Sequence, residues 1–153
     1  MMYYTHLAFG LLVSLISINI FNIKNEILFI LIILFFSIFP DIDYTKSRIG
    51  KENKLLSKII NIIFGHRGLF HTIYIPLILF FIFYNINNEL GIAILLGYFS
   101  HLFMDAINKK GIRLFYPLIN KKINGFFKTG SFVEKILFFI LIFVDLYIIL
   151  IHI

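Results

Sequence analysis

Seven of the histidine and aspartate residues in this sequence are candidate ligands for divalent metal ions. His101 and Asp105 lie four residues apart in GYFSHLFMDA, and residues with this spacing share one face of a helix. A hydrogen-bonded pair near a membrane surface is the alternative for these two residues. Because the sequence contains no cysteine, any metal must be held by nitrogen and oxygen ligands, a set that favours zinc, manganese or iron. The seven candidates are His6, Asp41, Asp43, His66, His71, His101 and Asp105.

Two of the candidate carboxylates belong to the stretch FPDID. Asp41 and Asp43 directly follow Pro40, and a proline here predicts a non-helical stretch. In such a stretch both carboxylates can turn toward one cation or bridge two cations. The alternative is a solvated helix end followed by a turn.

The stretch HRGLFH carries two candidate imidazoles and one guanidinium. The glycines around it predict a tight turn that contains His66, with His71 in the first turn of the following helix. Arg67 lies between these histidines, and its guanidinium group suits an anionic oxygen of phosphate or carboxylate. Alternatively, Arg67 pairs with Asp41 or Asp43, or it faces lipid headgroups.

The composition predicts one integral membrane domain over residues 1–153. The chain is 60% hydrophobic and its mean hydropathy is +0.95, values outside the ordinary range of soluble proteins. We predict an all-α bundle of about five membrane-spanning helices. The opening MMYYTH has no lysine or arginine, so we expect the first apolar segment to be retained and not cleaved as a signal peptide. The five apolar runs are 7–23, 27–39, 69–84, 90–104 and 136–151.

Several of these runs are shorter than the roughly 17–25 residues of a typical membrane helix. Either the helices extend into their polar flanks, which we favour, or the second and fourth are partly buried or re-entrant. Asn25 and Asn88 are candidate helix caps, and Pro40 is expected to stop the second helix. Ser131 and Glu134 match a capping box before the last helix.

The basic residues predict the orientation of this bundle in the membrane. Nearly all of them lie on the side that holds the N-terminus and the loops 41–68 and 105–131, whereas the opposite side holds only Lys24. The positive-inside rule then predicts a cytoplasmic N-terminus and an external C-terminus. The basic residues of the first side are Lys46, Arg48, Lys51, Lys54, Lys58, Arg67, Lys109, Lys110, Arg113, Lys121, Lys122 and Lys128, with Lys135 at its edge.

This topology places all seven candidate ligands at the cytoplasmic ends of four helices. Ionisable groups inside an apolar bundle are costly unless they are paired or bound to metal, so by default they mark a functional site. Asp145 lies in the far half of the last helix. We expect it to make a structural hydrogen bond to a neighbouring helix and not to form a second site.

Together these motifs resemble the LexA-regulated, inner-membrane metal-dependent hydrolase family of the YdjM type. The resemblance rests on His6, on PDID followed by Ser47 and Gly50, on HRGLFH, and on GYFSHLFMD with GIRLFYPL, so it extends to about residue 118. It implies a small polytopic protein of the cytoplasmic membrane with metal-dependent hydrolase activity. It also implies that the same seven residues are its metal and catalytic positions.

Hydrolysis at the cytoplasmic membrane surface by one or two divalent ions, zinc before manganese or iron, is the leading interpretation. A metal ion lowers the pKa of bound water toward about 7, and Asp43 or Asp105 is a candidate general base. Arg67 and the basic loops suit a phosphoester, such as a phospholipid headgroup. We expect membrane lipids and a small-molecule or lipid substrate as partners, and no nucleic acid.

Two other functions are compatible with the sequence. A transporter of metal ions or small solutes would carry its site near the bilayer midplane with access from both sides, whereas these candidates crowd one surface. A non-catalytic membrane adaptor would use the same residues as a structural metal site. A closed, fully coordinated ion would indicate the adaptor, and an open coordination position would indicate the enzyme.

Overall fold

The computed structural model describes residues 2–65 and 67–152, and the regular structure of these two stretches is helical apart from two isolated bridges. The predicted all-α class is therefore confirmed. His66, one of the candidate ligands, lies outside the described residues. The α-helices are α1 (Tyr3–Phe21), α2 (Glu26–Phe36), α3 (Arg48–Glu52), α4 (Lys54–Phe64), α5 (Tyr74–Tyr84), α6 (Asn88–Ala106) and α7 (Phe132–His152), and 3-10 helices span Phe39–Asp43 and Leu69–His71.

Helix α6 is the centre of the bundle. It packs against α1, α2 and α5, and α7 packs against α1 on the outside. Helices α2 and α6 start together, because the backbone N–H of Lys24 donates to the carboxylate of Glu89 at 3.1 Å. Both run toward the end of the bundle where α1 begins, and this end carries the candidate ligands.

A glycine contact sets the close approach of α2 to α6. A Cβ atom on Gly97 would stand 2.7 Å from the backbone oxygen of Ile33, so only glycine lets the two helices lie this close. One turn further along both helices, Nδ1 of His101 lies 2.8 Å from the backbone oxygen of Ser37. The small residue therefore brings the imidazole of α6 against the end of α2.

Buried Glu134 joins the starts of α1 and α7. Its carboxylate accepts the backbone N–H of Met2 at 2.7 Å and that of Gly130 at 2.6 Å. The hydroxyl of Ser131 accepts the N–H of Glu134 at 3.3 Å, as a capping box predicts. Only the serine half of the predicted box is confirmed, because the glutamate binds the neighbouring helix and the preceding turn.

Within the described part of the chain, Asp145, further along α7, does not make the structural hydrogen bond that the sequence predicts. It is buried, with 1% of its surface exposed, and neither carboxylate oxygen has a hydrogen-bond partner among the described residues. The prediction of a polar contact to a neighbouring helix is therefore wrong.

The caps of α2 and α6 agree closely with the sequence. The side chain of Asn25 accepts the N–H of Leu28 at 3.2 Å, which confirms the first predicted cap. At α6 the cap is Asn87, which accepts the N–H of Leu90 at 3.0 Å, so the predicted cap at Asn88 is displaced by one residue.

Two of the predicted spans form shorter helices than expected. α2 and α5 have 11 residues each, or about 16 Å at 1.5 Å per residue, whereas the hydrocarbon core is about 30 Å thick. Extension into the polar flanks is confirmed for α6, which reaches Ala106, and is wrong for α2 and α5. The chain leaves α2 at Phe36, before Pro40, and continues in a 3-10 helix.

By length and hydropathy, two helices of the described part are suited to cross a membrane, α1 and α6, and α5 is a shorter apolar helix. Large apolar side chains are exposed along α1, α2, α5 and α7. Ile20, Leu31, Phe81 and Phe143 each have more than half of their surface exposed.

The segment between α6 and α7 folds over the end of the bundle around buried Asn108. The Asn108 backbone oxygen accepts the N–H groups of Gly111 at 2.9 Å and Gly125 at 3.1 Å. Its side chain donates to the hydroxyl of Thr129 at 2.9 Å and accepts the N–H of Lys110 at 2.9 Å. These bonds give the basic segment a defined shape beside the candidate ligands.

Candidate metal centre

Four separate segments bring six of the seven predicted ligands together at one end of the bundle. They are the start of α1, the two 3-10 helices and the end of α6. All but one of the six are buried, and Asp41 has 23% of its side chain exposed. The six residues are His6, Asp41, Asp43, His71, His101 and Asp105.

Two imidazoles and one carboxylate point at a common centre. The Nε2 atoms of His71 and His101 lie 3.2 Å apart, and Oδ1 of Asp41 lies 4.0 Å from each of them. Two nitrogens that bind one tetrahedral ion at about 2.0–2.1 Å stand about 3.3 Å apart. The arrangement therefore matches the spacing of ligands around a single ion.

A backbone carbonyl fixes the orientation of His101. Because the carbonyl of Ser37 can only accept, Nδ1 of His101 must carry the proton in their 2.8 Å hydrogen bond. Nε2 then presents its lone pair toward His71. A hydrogen bond of this kind behind the ring is the usual support of a metal-binding histidine.

Asp43 lies behind His71 and supports it in the same way. Its Oδ2 is 3.0 Å from Nδ1 of His71 and accepts the backbone N–H of Arg67 at 2.9 Å. The sequence predicts Asp43 as a ligand and a base, but its geometry suits a carboxylate that orients the imidazole. Among the described residues, Asp43 belongs to neither of the two sets of side chains whose nitrogen and oxygen atoms lie close enough together to bind one ion.

His6 and Asp105 complete the cluster from α1 and α6. Nε2 of His6 lies 3.6 Å from Oδ1 of Asp105, and the other oxygen, Oδ2, lies 3.7 Å from Nε2 of His71. The His6 ring stacks on that of His101 at 4.1 Å between centroids. Both nitrogens of His6 are buried without a hydrogen-bond partner in the described part of the chain, which is costly and is relieved by a bound cation.

Two overlapping groups have the ligand spacing of a metal site. One contains His6, Asp41 and His101, and the other contains His71, His101 and Asp105. His101 belongs to both. With its Nδ1 bound to Ser37, it has one nitrogen left to offer an ion.

The electrostatics of the cluster favour a cation. Burial alone would lower the pKa of His71, which precedes α5, but the hydrogen bond with Asp43 and the charges of Asp43, Asp105 and Asp41 outweigh it and raise the pKa above 6.5. The same carboxylates favour a metal ion placed beside this ring.

The Arg67 side chain has a different partner from those considered in the sequence. Its Nη2 lies 2.5 Å from Oδ2 of Asp105, and its Nη1 donates to the backbone oxygen of Gly111 at 2.6 Å. Only its backbone N–H reaches Asp43. The guanidinium therefore positions a candidate ligand and joins it to the segment between α6 and α7.

A basic cavity opens directly beside the cluster. Its volume is about 260 Å³, and a neighbouring cavity of about 190 Å³ shares Arg67 and Lys110 and adds Arg113 and Lys122. Asp41 is the candidate ligand that lines the larger cavity. The lining residues of this basic cavity are Tyr3, Asp41, Tyr44, Lys46, Ser47, Arg48, Arg67, Lys110 and Thr129.

A known family matches nearly the whole chain. The family model described as YdjM inner membrane protein matches residues 1–152. The chain belongs to the YdjM inner membrane protein family. The resemblance to the YdjM family and the location in the inner membrane are thereby confirmed, while LexA regulation and hydrolase activity stay predictions.

Two curated relatives of the YdjM family match parts of the chain. The uncharacterized protein YvsG of Bacillus subtilis is 37% identical over 103 residues, which cover 65% of this chain and 64% of YvsG. The inner membrane protein YdjM of Escherichia coli is 35% identical over 85 residues, 51% of this chain and 43% of the relative. The chain thus matches between about two fifths and two thirds of each relative's length. No solved structure matches the chain.

Several residues that support the YdjM-family site carry no sequence signal of that role. The backbone carbonyl of Ser37 orients His101, and the side chain of Asn61 donates to the backbone oxygen of Asp43 at 2.7 Å. Asn108 holds the segment that accepts from Arg67. A charge or metal-ligand pattern cannot find such residues, because they act through backbone atoms of distant segments.

Arg67→Met is expected to lower the free energy of unfolding by about 3–5 kcal/mol, because it removes the guanidinium that faces the buried carboxylate of Asp105. Unfolding of the detergent-purified YdjM-family protein, measured without added metal, checks this. Arg48→Met is the matched control. The Arg48 guanidinium lies 3.9 Å from Glu52 with both side chains more than half exposed, and it also contacts Tyr3 and Tyr4 at the surface, so its loss should cost only about 1–2 kcal/mol. Equal effects of the two substitutions would contradict the structural role of Arg67.

Proposed function

We propose that this YdjM-family protein is a metal-dependent hydrolase of phosphoesters at the cytoplasmic face of the membrane. The substrate would be a phospholipid headgroup or another phosphate compound near the membrane. The observation that carries the proposal is that Asp41 belongs both to a candidate ligand group and to the lining of the basic cavity. A metal site that faces a basic cavity can meet an anionic substrate, whereas a closed structural site cannot.

The residues present fit a divalent ion. His71, His101 and Asp41 would hold it, with Asp105 and His6 close enough to complete the set. The support is the short distance between the two Nε2 atoms, the buried nitrogens of His6 without partners, and the mixture of imidazole and carboxylate ligands, which suits zinc, manganese or iron. When bound, such an ion supplies Lewis-acid polarisation and a nucleophile at neutral pH.

The basic cavity supports a phosphoester as the substrate class. Four cationic side chains and one carboxylate line it, and guanidinium and ammonium groups bind phosphate oxygens. Arg48 lies over the rings of Tyr3 and Tyr4, with its Cζ 5.0 and 5.8 Å from their centroids, and donates to the Tyr4 hydroxyl at 2.8 Å. These contacts hold the guanidinium at the cavity wall.

Hydrolysis adds the oxygen of water to phosphorus, breaks the ester P–O bond, and sends a proton to the departing alcohol. Asp41 is the carboxylate placed to accept a proton from that water, because it is part exposed and lines the cavity. Asp43 orients His71, and Arg67 positions Asp105. The acid–base role that the sequence predicts for Asp43 or Asp105 is thus proposed for Asp41.

We further propose that α1, α2, α5, α6 and α7 lie within the membrane, with a cytoplasmic N-terminus and an external C-terminus. The exposed apolar side chains on α1, α2, α5 and α7 support contact with lipid. The clustering of basic residues at the ligand end, against Lys24 at the other, supports the orientation. A ligand cluster at one surface, and not at the midplane, favours an enzyme over a transporter.

The test is a hydrolysis assay on the full chain in lipid nanodiscs, loaded in turn with zinc, manganese and iron. Phosphatidylglycerol, phosphatidic acid and soluble phosphate mono- and diesters are the substrates, and product release is followed by phosphorus NMR. We expect turnover of at least one phosphoester that stops with a chelator and returns with the ion. Bound metal without turnover of any of these compounds would favour the adaptor, and metal flux into sealed vesicles would favour the transporter.

A further inference from the structure

Helix α4 carries an exposed apolar face that lies outside the predicted membrane spans. Its exposed leucine and isoleucine side chains recur with the spacing of one helical face. Their exposed fractions lie between 45% and 76%, so little of this face is covered by the protein. The residues of this apolar face are Leu55, Leu56, Ile59, Ile62 and Ile63.

The other sides of α4 are polar and have two distinct environments. Ser57 is fully buried, and Asn61 donates to the backbone oxygen of Asp43, so this side packs against the 3-10 helix Phe39–Asp43. Lys54 and Lys58 are exposed along one edge of the apolar face, between it and the buried side. Lysines that flank an apolar stripe are typical of helices that lie in a membrane interface.

A row of aromatic rings connects the end of α4 with the exposed apolar side of α2. Phe35 of α2 is 51% exposed and lies 5.5 Å from Phe39, measured between ring centroids. Phe39 lies 6.4 Å from Phe70, which lies 5.7 Å from Phe64 at the end of α4. The apolar surface of α2 therefore continues onto α4 without a polar interruption along these rings.

We propose that α4 lies flat on the cytoplasmic leaflet, with its apolar face inserted at the boundary of headgroups and acyl chains and its lysines directed to anionic headgroups. The charge of the lysines and the continuous aromatic surface identify a lipid surface as the occupant of this face. The inference uses the membrane location and the proposed orientation and is independent of catalysis.

The position of α4 in the membrane is coupled to the ligand cluster through a chain of contacts. Asn61 binds the backbone of Asp43, and Asp43 in turn contacts His71 and the backbone of Arg67. The depth of α4 in the leaflet therefore constrains the chain that carries two of the candidate carboxylates. A lipid substrate would reach the basic cavity from the same leaflet.

Spin labels at single introduced cysteines test this docking. The native chain contains no cysteine, so each label attaches at one known position. Ile62→Cys and Leu55→Cys place labels on the apolar face at positions 73% and 76% exposed. Lys54→Cys is the matched control, at the exposed position of the same helix that lies farthest from the apolar face. The full chain is placed in nanodiscs of phosphatidylglycerol and phosphatidylcholine, and collisions of each label with oxygen and with a water-soluble nickel chelate are measured.

We expect the labels at positions 55 and 62 to collide more with oxygen than with nickel, at a depth of about 5–10 Å below the headgroups, and the label at 54 to show the reverse. Nickel access at position 62 equal to that at 54 would overturn the proposal. Protection from both reagents would also overturn it, since a second copy or a protein partner would then cover the face. The labels are read without metal or substrate, so either result leaves the hydrolase proposal unaffected.

Discussion

His101→Ala is expected to weaken divalent-metal binding at least about 100-fold, which exceeds the effect of losing a supporting group behind a ligand. His101 belongs to both groups with ligand spacing, and its Nε2 faces the Nε2 of His71 at 3.2 Å. Its replacement therefore removes a ligand from every ion position that the described residues offer. Elemental analysis of the detergent-purified protein and titration with zinc, manganese and iron measure the loss.

The same measurement determines the number of ions. Because Nδ1 of His101 is bound to Ser37, only Nε2 can coordinate, and one imidazole nitrogen binds one ion. The two overlapping groups then compete, so we expect one ion per chain in the wild type. Phe103→Leu, at an exposed position of the same helix, is the control and should retain one ion per chain. Full metal content in His101→Ala would contradict the site.

Asp41→Asn is expected to reduce turnover by about 10²- to 10⁴-fold, the range of a general base, while most of the bound metal is retained. The amide keeps an oxygen toward His71 and His101 but cannot take a proton from water. Steady-state hydrolysis of the phosphoester identified in the nanodisc assay, with metal content measured on the same sample, checks this.

Glu52→Gln is the control for the loss of a carboxylate on the cytoplasmic surface. Glu52 is exposed on α3 and is 3.9 Å from Arg48, so its loss should leave turnover unchanged. If Asp41→Asn kept wild-type turnover, the proton would be accepted elsewhere and the role proposed for Asp41 would be wrong. If it lost metal and turnover together, Asp41 would act only as a ligand.

The convergence of His6, His101 and Asp105 can be predicted from the sequence. The spacing of His101 and Asp105 on one helix face, and the position of His6 at the start of the first helix, depend on helix period and topology alone. The structure brings both histidines and the carboxylate together. These are local or topological properties, which a single sequence carries well.

The different roles of the carboxylates of Asp41 and Asp43 could not be predicted from the sequence. Asp41 and Asp43 are two residues apart and chemically identical, yet one faces the cavity and the other lies behind His71. The difference arises from the 3-10 helix that replaces the expected end of α2, and from contacts with Arg67 and Asn61. Such tertiary contacts leave no period or motif in the sequence.

Helix α4 is not predicted from the sequence, for a different reason. Its lysines gave the segment the composition of a solvated loop, and its apolar residues were too few for a membrane span. Lys54 and Lys58 are four residues apart, as are Leu55 and Ile59, so the amphipathic period was present. A search for spans and loops alone does not detect a helix that lies on the surface.

If the proposed metal site is formed, the origin of its ligands in four separate segments would link the cell's metal supply to the maturation of the protein. The segment with His6 is synthesised first, and those with His71 and His101 follow much later, so the complete ligand set exists only after most of the bundle has assembled. An ion that binds only the assembled state adds its binding free energy to folding. Metal starvation would then shift newly made chains toward degradation before any loss of catalysis could be observed.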